Sequence, residues 1–312
     1  VNPEPAPRYN MVVLGAGTAG LVAAAGAAGL GAKVALVERQ LMGGDCLNVG
    51  CVPSKGLLSV AHRYGLVRDA EELGVHGGSD PWVDFDFAMQ RMRRIRADLS
   101  KHDSVARFAA LGVDVFLGEG RFVSKDTLAV GDDRLRFSKA VIATGGRAAA
   151  PPIPGLGEVD YLTNESLFSL TRLPRRVGVI GAGPIGCEMA QMFARFGSQV
   201  VLIEALHGVL PREEVDAGEI VREALERDGV ELRCCGKNMS VSRHPGGVRL
   251  TLGSHDREVD VIVDELVVAV GRAPNVEGIG LEDAGVRYSS KGVEVNDRLQ
   301  TSNPRIFAAG DV

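Results

Sequence analysis

Cys46 and Cys51 enclose the four residues Leu47-Asn48-Val49-Gly50, a loop that a disulfide could close, and they follow the pair Gly43-Gly44. Scattered cysteines are most often buried and inert, but a pair at this spacing suits thiol–disulfide exchange, in which the thiolate is the attacking species. A helix N-terminus beside a bound cofactor would favour that thiolate. Zinc needs further ligands at suitable spacing, and the six histidines do not cluster with the pair, so no metal is expected. Cys187, between Gly186 and Glu188, reads as a small helix residue packed on a sheet, and Cys234-Cys235 as part of the strand-like VELRCC. The odd total of five cysteines does not suit a secreted disulfide framework and points to a reducing compartment, the cytoplasm.

A second kind of chemistry is carried by glycine. GAGTAG places Gly15, Gly17 and Gly20, and GAGPIG places Gly181, Gly183 and Gly186, in two G-x-G-x-x-G fingerprints. In such a loop the first glycine makes the tight turn, the second admits a pyrophosphate, and the third lets helix and strand pack. Ala16, Thr18 and Ala19 complete the first cradle, and Pro184 and Ile185 the second. Each fingerprint follows an apolar run, opens a helical run, and is followed eighteen residues after its third glycine by an acid, Glu38 or Glu204, placed to accept from ribose hydroxyls. Shifted by 166 residues, Gly15, Gly17, Gly20, Gly31 and Glu38 fall on Gly181, Gly183, Gly186, Gly197 and Glu204. One copy would be weak; strand, turn, helix and strand repeated at one offset indicate two homologous nucleotide-binding modules and two dinucleotides.

These residues need elements to position them. Met11 to Ala32 is twenty-two residues without a charge, long enough to suggest a membrane span, but it contains six glycines. It reads instead as a strand (Met11 to Leu14), a glycine turn and a small-residue helix ending near Gly31, with a second strand from Lys33 to Val37. From Trp82 to Gly112, Phe85, Met89, Met92, Ile95 and Leu99 make a helical stripe, with Arg91, Arg93, Arg94 and Arg96 expected on a solvated face. Val113 to Thr144 predicts an antiparallel meander, after which KAVIATGG re-enters the sheet. The linker is Ala148 to Gly155, and a second crossing is expected near GRAPN, Gly271 to Asn275, after a strand from Glu265 to Val270. VNPEPAPRYN reads as a loose arm. The expected fold class is α/β: two Rossmann-like three-layer domains, each with a small antiparallel meander. Residues 1–152 would form the first segment of one, 153–275 the second, and 276–312 a return to the first.

Composition agrees with that plan. The chain has 312 residues, enough for two cores at roughly 150 residues per domain, with 45% hydrophobic and 24% charged residues. A net charge of −5 offers no basic field to a nucleic acid or an anionic membrane, so small-molecule partners are expected. The 40 glycines are nearly twice the usual ~7%, as phosphate loops and turns require. A start at Val1 and an end within an apolar run suggest a fragment.

GAGTAG with GGDCLNVGCVPSK, ATGG, GAGPIGCE, GRAPN and AAGDV, in that order over nearly the whole chain, resembles the flavoprotein disulfide reductases, the family of dihydrolipoamide dehydrogenase, glutathione reductase and mercuric reductase. The resemblance implies FAD on the first module, NAD(P)H on the second, and a redox-active Cys46–Cys51 disulfide between flavin and a disulfide, dithiol or mercuric acceptor. It implies that Cys51 is the flavin-contacting thiol and Cys46 the interchange thiol, and that Lys55 and Glu188 form an ion pair beside the flavin. It also implies FAD contacts at Gly44, Asp45, Gly120, Ala143, Thr144 and Gly145, a ribityl contact at Asp311, and a site position at Gly271. NADH is favoured, because Glu204 would repel a 2′-phosphate and Ala205-Leu206-His207 brings no arginine. Ser54 in GCVPSK points away from glutathione reductases, whose motif resembles GCVPKK. Asp45 replaces the usual threonine and sets a negative charge beside Cys46. Members continue past AAGDV into an interface domain of roughly 100 residues that makes a homodimer and supplies a His-Glu acid/base pair; this chain alone is not expected to form that dimer. The alternative from another class is a non-catalytic nucleotide-binding or redox-sensing module.

Overall fold

The structure, a computed structural model, describes residues 8–76, 80–206, 208–234, 237–254 and 257–312. In chain order the elements are β1 (Arg8–Leu14), α1 (Thr18–Gly29), β2 (Val34–Glu38), α2 (Gly44–Asn48), α3 (Cys51–Arg68), α4 (Phe85–Ser100), α5 (Val105–Ala110), β3 (Val113–Leu117), β4 (Gly120–Ser124), β5 (Thr127–Val130), β6 (Asp133–Ile142) and β7 (Gly146–Ala148). There follow α6 (Asn164–Leu167), β8 (Arg176–Ile180), α7 (Pro184–Phe196), β9 (Gln199–Ile203), α8 (Val215–Arg227), β10 (Val230–Arg233), β11 (Lys237–His244), β12 (Gly247–Ser254), β13 (Arg257–Val263), β14 (Glu265–Val268), β15 (Arg272–Pro274), β16 (Tyr288–Ser289), β17 (Gly292–Val293) and β18 (Ile306–Ala308). The chain divides into two compact units. The first holds the described residues up to Asn48 with Arg96–Arg147 and Arg272–Val312, and the second holds Val49–Ile95 and Ala148–Gly271.

The first unit is built on a sheet of order β3-β2-β1-β6-β5-β4, with β18 also pairing β6. The strands β3, β2, β1, β6 and β18 run parallel, while β4 and β5 turn back antiparallel onto the first half of β6. Alternation along the strands sorts the core. Val13, Val34 and Leu36 face Leu21, Ala24 and Phe108 of the helical layer, whereas Val12, Leu14, Ala35 and Val37 face Phe122, Leu128, Val276 and Leu281 of the opposite layer. Because the strands are parallel, the ends of β1, β2, β6 and β18 deliver Gly15, Glu38, Ala143 and Ala309 to one edge, where open α/β sheets bind ligands.

The second unit repeats the scheme with a parallel sheet, β10-β9-β8-β14, and a separate antiparallel sheet, β11-β12-β13. Val177, Val179, Val200 and Leu202 pack with Met189, Met192 and Phe193 of α7 and with Leu57, Met89 and Met92. On the other face Ile180, Ile203 and Leu266 meet Val241, Leu250 and Leu252 of the antiparallel sheet. Antiparallel strands accompany the parallel sheet in both units, as β4 and β5 folded back on β6 in the first and as the separate sheet β11-β12-β13 in the second; the meander expected from Val113 starts later, because β3 pairs parallel with β2 at the edge of the main sheet.

Three local expectations change. Arg8 to Asn10 belong to β1 rather than a loose arm: Tyr9 is buried and donates to Asp114 Oδ2 at 2.9 Å, and Asn10 Oδ1 accepts from the Lys33 amide at 2.8 Å. The remainder of that arm, residues 1–7, lies outside the described residues, as do Cys235, His207 and His255. The arginines of α4 are not simply solvated: Arg91 donates to Gly56 O at 3.3 Å, Arg93 to Leu170 O at 2.9 Å and Arg96 to Asn48 O at 3.1 Å, leaving Arg94 exposed. Charged side chains can bond orphan carbonyls while their stems cover apolar surface. The strand before Cys234 ends at Arg233, so that cysteine follows β10 instead of extending it. Among the described residues no helix is long and apolar enough to cross a membrane; Met11 to Ala32 is strand, loop and helix.

Candidate functional site

The first glycine loop is fixed by backbone geometry that side chains would obstruct. Gly15 has φ +106°, and a Cβ there would stand 2.2 Å from Ala143 O; a Cβ on Gly20 would stand 1.8 Å from Gly15 O. Glu38, buried at the end of β2, accepts from the Ala16 amide at 2.8 Å through Oε2 and from the Gln40 amide at 2.8 Å through Oε1. The carboxylate thus shapes the loop as well as facing the edge where a ribose would lie, and each oxygen keeps a lone pair for a further donor. A cavity of about 310 Å³ opens at this edge, lined by Gly15, Glu38, Gly120, Thr144 and Arg147 among others. Its size and its Gly15–Glu38 floor suit the nucleotide end of a dinucleotide such as FAD. Gly120 has to be small: a Cβ would reach Leu14 Cδ1 at 2.5 Å.

The GGDC turn closes over the same loop. The Gly43 amide donates to Ala16 O at 2.9 Å, and a Cβ on Gly44, whose φ is +58°, would lie 2.6 Å from Gly17 Cα. Asp45 and Cys46 follow on α2. Asp45 Oδ2 accepts from Arg272 Nη2 at 2.5 Å, and the same nitrogen donates to Gly146 O at 2.6 Å. Arg272 Nε also lies 3.8 Å from Oδ2 of Asp311, an exposed carboxylate. Thr144 donates through Oγ1 to Asn275 O at 2.7 Å, while Asn275 Nδ2 donates to Thr144 O at 3.0 Å and the Asn275 amide to Gly145 O at 2.8 Å. Arg147 adds bonds to Pro274 O at 2.9 Å and Glu277 Oε2 at 3.2 Å. The ATGGR and GRAPN segments are thereby zipped together. Arg147, Arg272 and Asn275 were missed as site residues, because GRAPN signals a domain crossing in the sequence and nothing there shows which turn its arginine and asparagine meet.

In the second unit the loop geometry recurs. Gly181 has φ +102°, a Cβ on Gly186 would stand 1.8 Å from Gly181 O, and Glu204 accepts from the Ala182 amide at 2.8 Å and the Leu206 amide at 3.0 Å. Pro184 opens α7 at its first turn, where its missing N–H costs nothing, and Ile185 is exposed beside it. Cys187 is buried, its Sγ 3.3 Å from Ala182 O, and burial, with Glu204 nearby, pushes its thiol up to about 11. It is a packing residue held protonated. Gly271, with φ +143°, ends this unit and accepts at its carbonyl from the Ala149 amide at 3.0 Å.

Helix α3 lies alongside α7 in the same direction. Lys55 Nζ bonds both oxygens of Glu188, at 2.7 and 2.9 Å, one turn into each helix. Farther along, Gly65 faces the Arg195 guanidinium, which donates to Asp228 Oδ2 at 2.9 Å. Asp228, buried, also accepts from Arg68 Nη2 at 3.0 Å and Gln191 Nε2 at 2.7 Å. The parallel docking brings the start of α3, where Cys51 is exposed, to the same end of the unit as the Gly183 loop. Ser54 is buried and donates to Cys51 O at 3.3 Å. Of the two cysteines of the motif, Cys46 belongs to the first unit and Cys51 to the second. Of the two arginines that flank Glu204 in sequence, Arg195 is held by Asp228, while Arg212 is exposed. His62 lies in α3 and His244 in β11, while His76 and His102 lie outside these helices and strands.

The chain holds two α/β modules, each with a carboxylate-braced glycine loop of the kind that binds dinucleotides, and a C-x4-C motif at the start of α3. Residues 9–312 match the family model for pyridine nucleotide-disulphide oxidoreductase, and the chain belongs to that family. It is 34% identical over 305 residues to a mercuric reductase of Staphylococcus aureus, covering 97% of this chain and 56% of that protein. It is 35% identical over 320 residues to a glutathione reductase of Nostoc sp., covering 97% and 68%. Among solved structures it resembles the HOCl-induced flavoprotein disulfide reductase RclA of Escherichia coli, with a TM-score of 0.84, 30% identity, and coverage of 97% of this chain and 66% of that one. The chain spans about half the length of the mercuric reductases it matches.

Proposed function

We propose that the chain carries the electron-transfer machinery of a pyridine nucleotide-disulfide oxidoreductase, with FAD on the first unit, NADH on the second and a redox-active Cys46–Cys51 disulfide. The supporting observation is the pairing of two braced glycine loops with an exposed cysteine at the start of α3, on the helix whose lysine bonds Glu188 of α7. When bound, FAD supplies the two-electron relay between nicotinamide and disulfide. Gly15, Gly17 and Glu38 bind and orient it, Asp311 and Thr144 lie at the same edge, and Lys55 with Glu188 sets a paired charge one turn from Cys51. The balance is NADH plus one proton and the disulfide giving NAD⁺ and two thiols. Cys46 then attacks a small disulfide as thiolate and releases one thiol, and Cys51 attacks the mixed disulfide, releasing the second thiol as the Cys46–Cys51 bond re-forms. A mercuric ion held by the thiolates would instead take the two electrons and leave as elemental mercury while that bond re-forms. Glu204 favours NADH, since its carboxylate repels a 2′-phosphate and Arg195, one of the two arginines flanking it in sequence, is committed to Asp228. The acceptor is a small disulfide or a mercuric ion, with a small dithiol as the electron donor when the reaction runs in reverse; it is handled in the cytoplasm, and the full-length protein is a homodimer.

Anaerobic titration of the FAD-reconstituted chain with NADH tests this reading. Two new thiols per flavin, with a long-wavelength absorption that Cys51→Ser removes and Cys46→Ser keeps, are expected. NADH should reduce the protein more efficiently than NADPH. Nucleotide binding without thiol formation would favour the non-catalytic alternative.

A further inference from the structure

Asp45 is an awkward residue to find next to an interchange thiol, because its charge opposes the neighbouring thiolate. Its carboxylate does not stand alone. Arg272 draws Oδ2 to 2.5 Å while donating to Gly146 O at 2.6 Å, and it reaches Asp311 at 3.8 Å. One partly buried guanidinium therefore joins three turns of the first unit: GGDC, the turn after Gly145, and AAGDV. The other charged side chains at this turn are Asp103, whose Oδ2 lies 3.1 Å from where a Cβ on Gly43 would be, and Arg96, which donates to Asn48 O at the far end of α2. Asp45 with Asp103 makes the turn acidic, and Arg272 is the cation bonded directly to the acid adjoining Cys46.

We propose that Arg272 is a positioning residue for the Cys46 thiol: it holds the Asp45 carboxylate against the Gly146 turn and cancels a charge that would otherwise suppress the thiolate. Positions 45 and 272 then act as a pair, an acid tolerated at the first because a guanidinium is supplied at the second. A bidentate-capable, always-charged arginine serves this better than a lysine, since one nitrogen bridges carboxylate and carbonyl while another faces Asp311. The inference rests on Cys46 being the interchange thiol, but its test reads the thiol itself. Asp45 and Cys46 are adjacent in sequence and point to different sides of the helix, and a partly solvated charge so placed changes an ionisation several-fold rather than by many orders.

The experiment measures the rate of Cys46 alkylation by iodoacetamide, resolved by peptide mapping, on the reduced, FAD-reconstituted chain from pH 5 to 10. Arg272→Gln should slow Cys46 alkylation about three- to tenfold at pH 7 and move its profile to higher pH, with Arg272→Lys in between. Adding Asp45→Asn to Arg272→Gln should restore the wild-type profile, which a purely structural loss would not do. Asp45→Asn alone, which removes the acid adjoining Cys46 and leaves Arg272 facing only Asp311, should speed alkylation at pH 7; it keeps the test open if Arg272→Gln does not fold. An unchanged profile in folded Arg272→Gln, slowing that Asp45→Asn does not relieve, or no acceleration in Asp45→Asn would each overturn the proposal. Failure of NADH to generate thiols would instead sink the disulfide reading and leave the alkylation result intact.

Discussion

At the first glycine of each loop φ is nearly the same, +106° at Gly15 and +102° at Gly181, and both third glycines would place a Cβ 1.8 Å from the first glycine's carbonyl. Glu38 and Glu204 bond the same loop amide, that of Ala16 or Ala182, at the same 2.8 Å. Even the covering segment is shared, since the Gly43 amide donates to Ala16 O and the Leu210 amide to Ala182 O, each at 2.9 Å. Above the second glycine the modules part. A Cβ on Gly44 would press 2.6 Å onto Gly17 Cα, whereas a Cβ on Gly183 meets nothing within 4 Å. The turn that carries Asp45 and Cys46 roofs the second glycine of the first loop; among the described residues nothing comes that close to Gly183. A nucleotide that stays bound through many cycles suits the roofed loop, and one that exchanges each cycle suits the open loop.

The helices behind the loops differ in the same sense. α1 is mostly alanine and glycine and packs closely on its sheet, while α7 buries Met189, Met192, Phe193 and Phe196 and carries Glu188 to Lys55. The first module commits its edge to turns that Arg272 and Asn275 tie together. The second commits its helix to supporting the cysteine-bearing α3.

The largest effect should come from the roof. Gly44→Ala combines positive φ with a backbone overlap and is expected to cost about 3–5 kcal/mol in urea unfolding and to lose FAD, whereas Gly183→Ala should cost under about 1 kcal/mol. Equal costs at the two positions would erase the distinction between roofed and open loops. Next comes the far end of α3. Asp228→Ala leaves Arg68 and Arg195 without their buried partner and should destabilise the chain by about 3 kcal/mol, with earlier proteolysis within residues 49–95 than in the wild type. Loss of less than about 1 kcal/mol would show that this network does not hold α3 on α7.

A pH experiment separates the units more gently. Burial, followed by the bond to Asp114, pushes the Tyr9 phenol up to about 12. Its unfolded value is near 10, so the folded state binds the proton more tightly. The stabilisation, about 2 kcal/mol, is fully present below pH 10 and is lost as pH rises through 12. Phenolate absorbance should show one tyrosine titrating late, and Tyr9→Phe should remove it; an unchanged titration would dismiss the buried Tyr9–Asp114 bond. The smallest effect is acidic and belongs to the second unit. The Arg176 guanidinium bonded to Asp264 holds that carboxyl below the usual range, so its contribution is present above pH 4 and is lost as pH falls through the folded value. The pair is over a third exposed, so about 0.5 kcal/mol is expected in the difference between wild type and Asp264→Asn unfolding at pH 6, and none at pH 2.

Much of this was written in local pattern. Glycine spacing specified both loops because only glycine accepts φ near +105° against a carbonyl. The continuous apolar runs at β1, β2, β8 and β9 named parallel strands buried on both faces. Both Rossmann-like modules and their meanders, and the family, were accordingly legible. The rest depends on residues far apart in the chain. Arg93 and Arg96 resembled a solvated face until their carbonyl partners at Leu170 and Asn48 were visible. Arg8 to Asn10 resembled a tail until Asp114 and Lys33 were seen to hold Tyr9 and Asn10.

By itself, then, the sequence determined where the backbone must turn under glycine, which residues form the two sheets, and which thiols and carboxylates are available, since these follow from the sterics and periodicity of neighbours. Only the tertiary structure decided that Arg272 would reach Asp45, that Asn275 would lock Thr144, that Arg195 would turn to Asp228, and that Gly44 would cover Gly17. Those pairings join segments up to 227 residues apart. A side chain's partner at such a separation is set by how whole sheets and turns pack, and no local spacing encodes it.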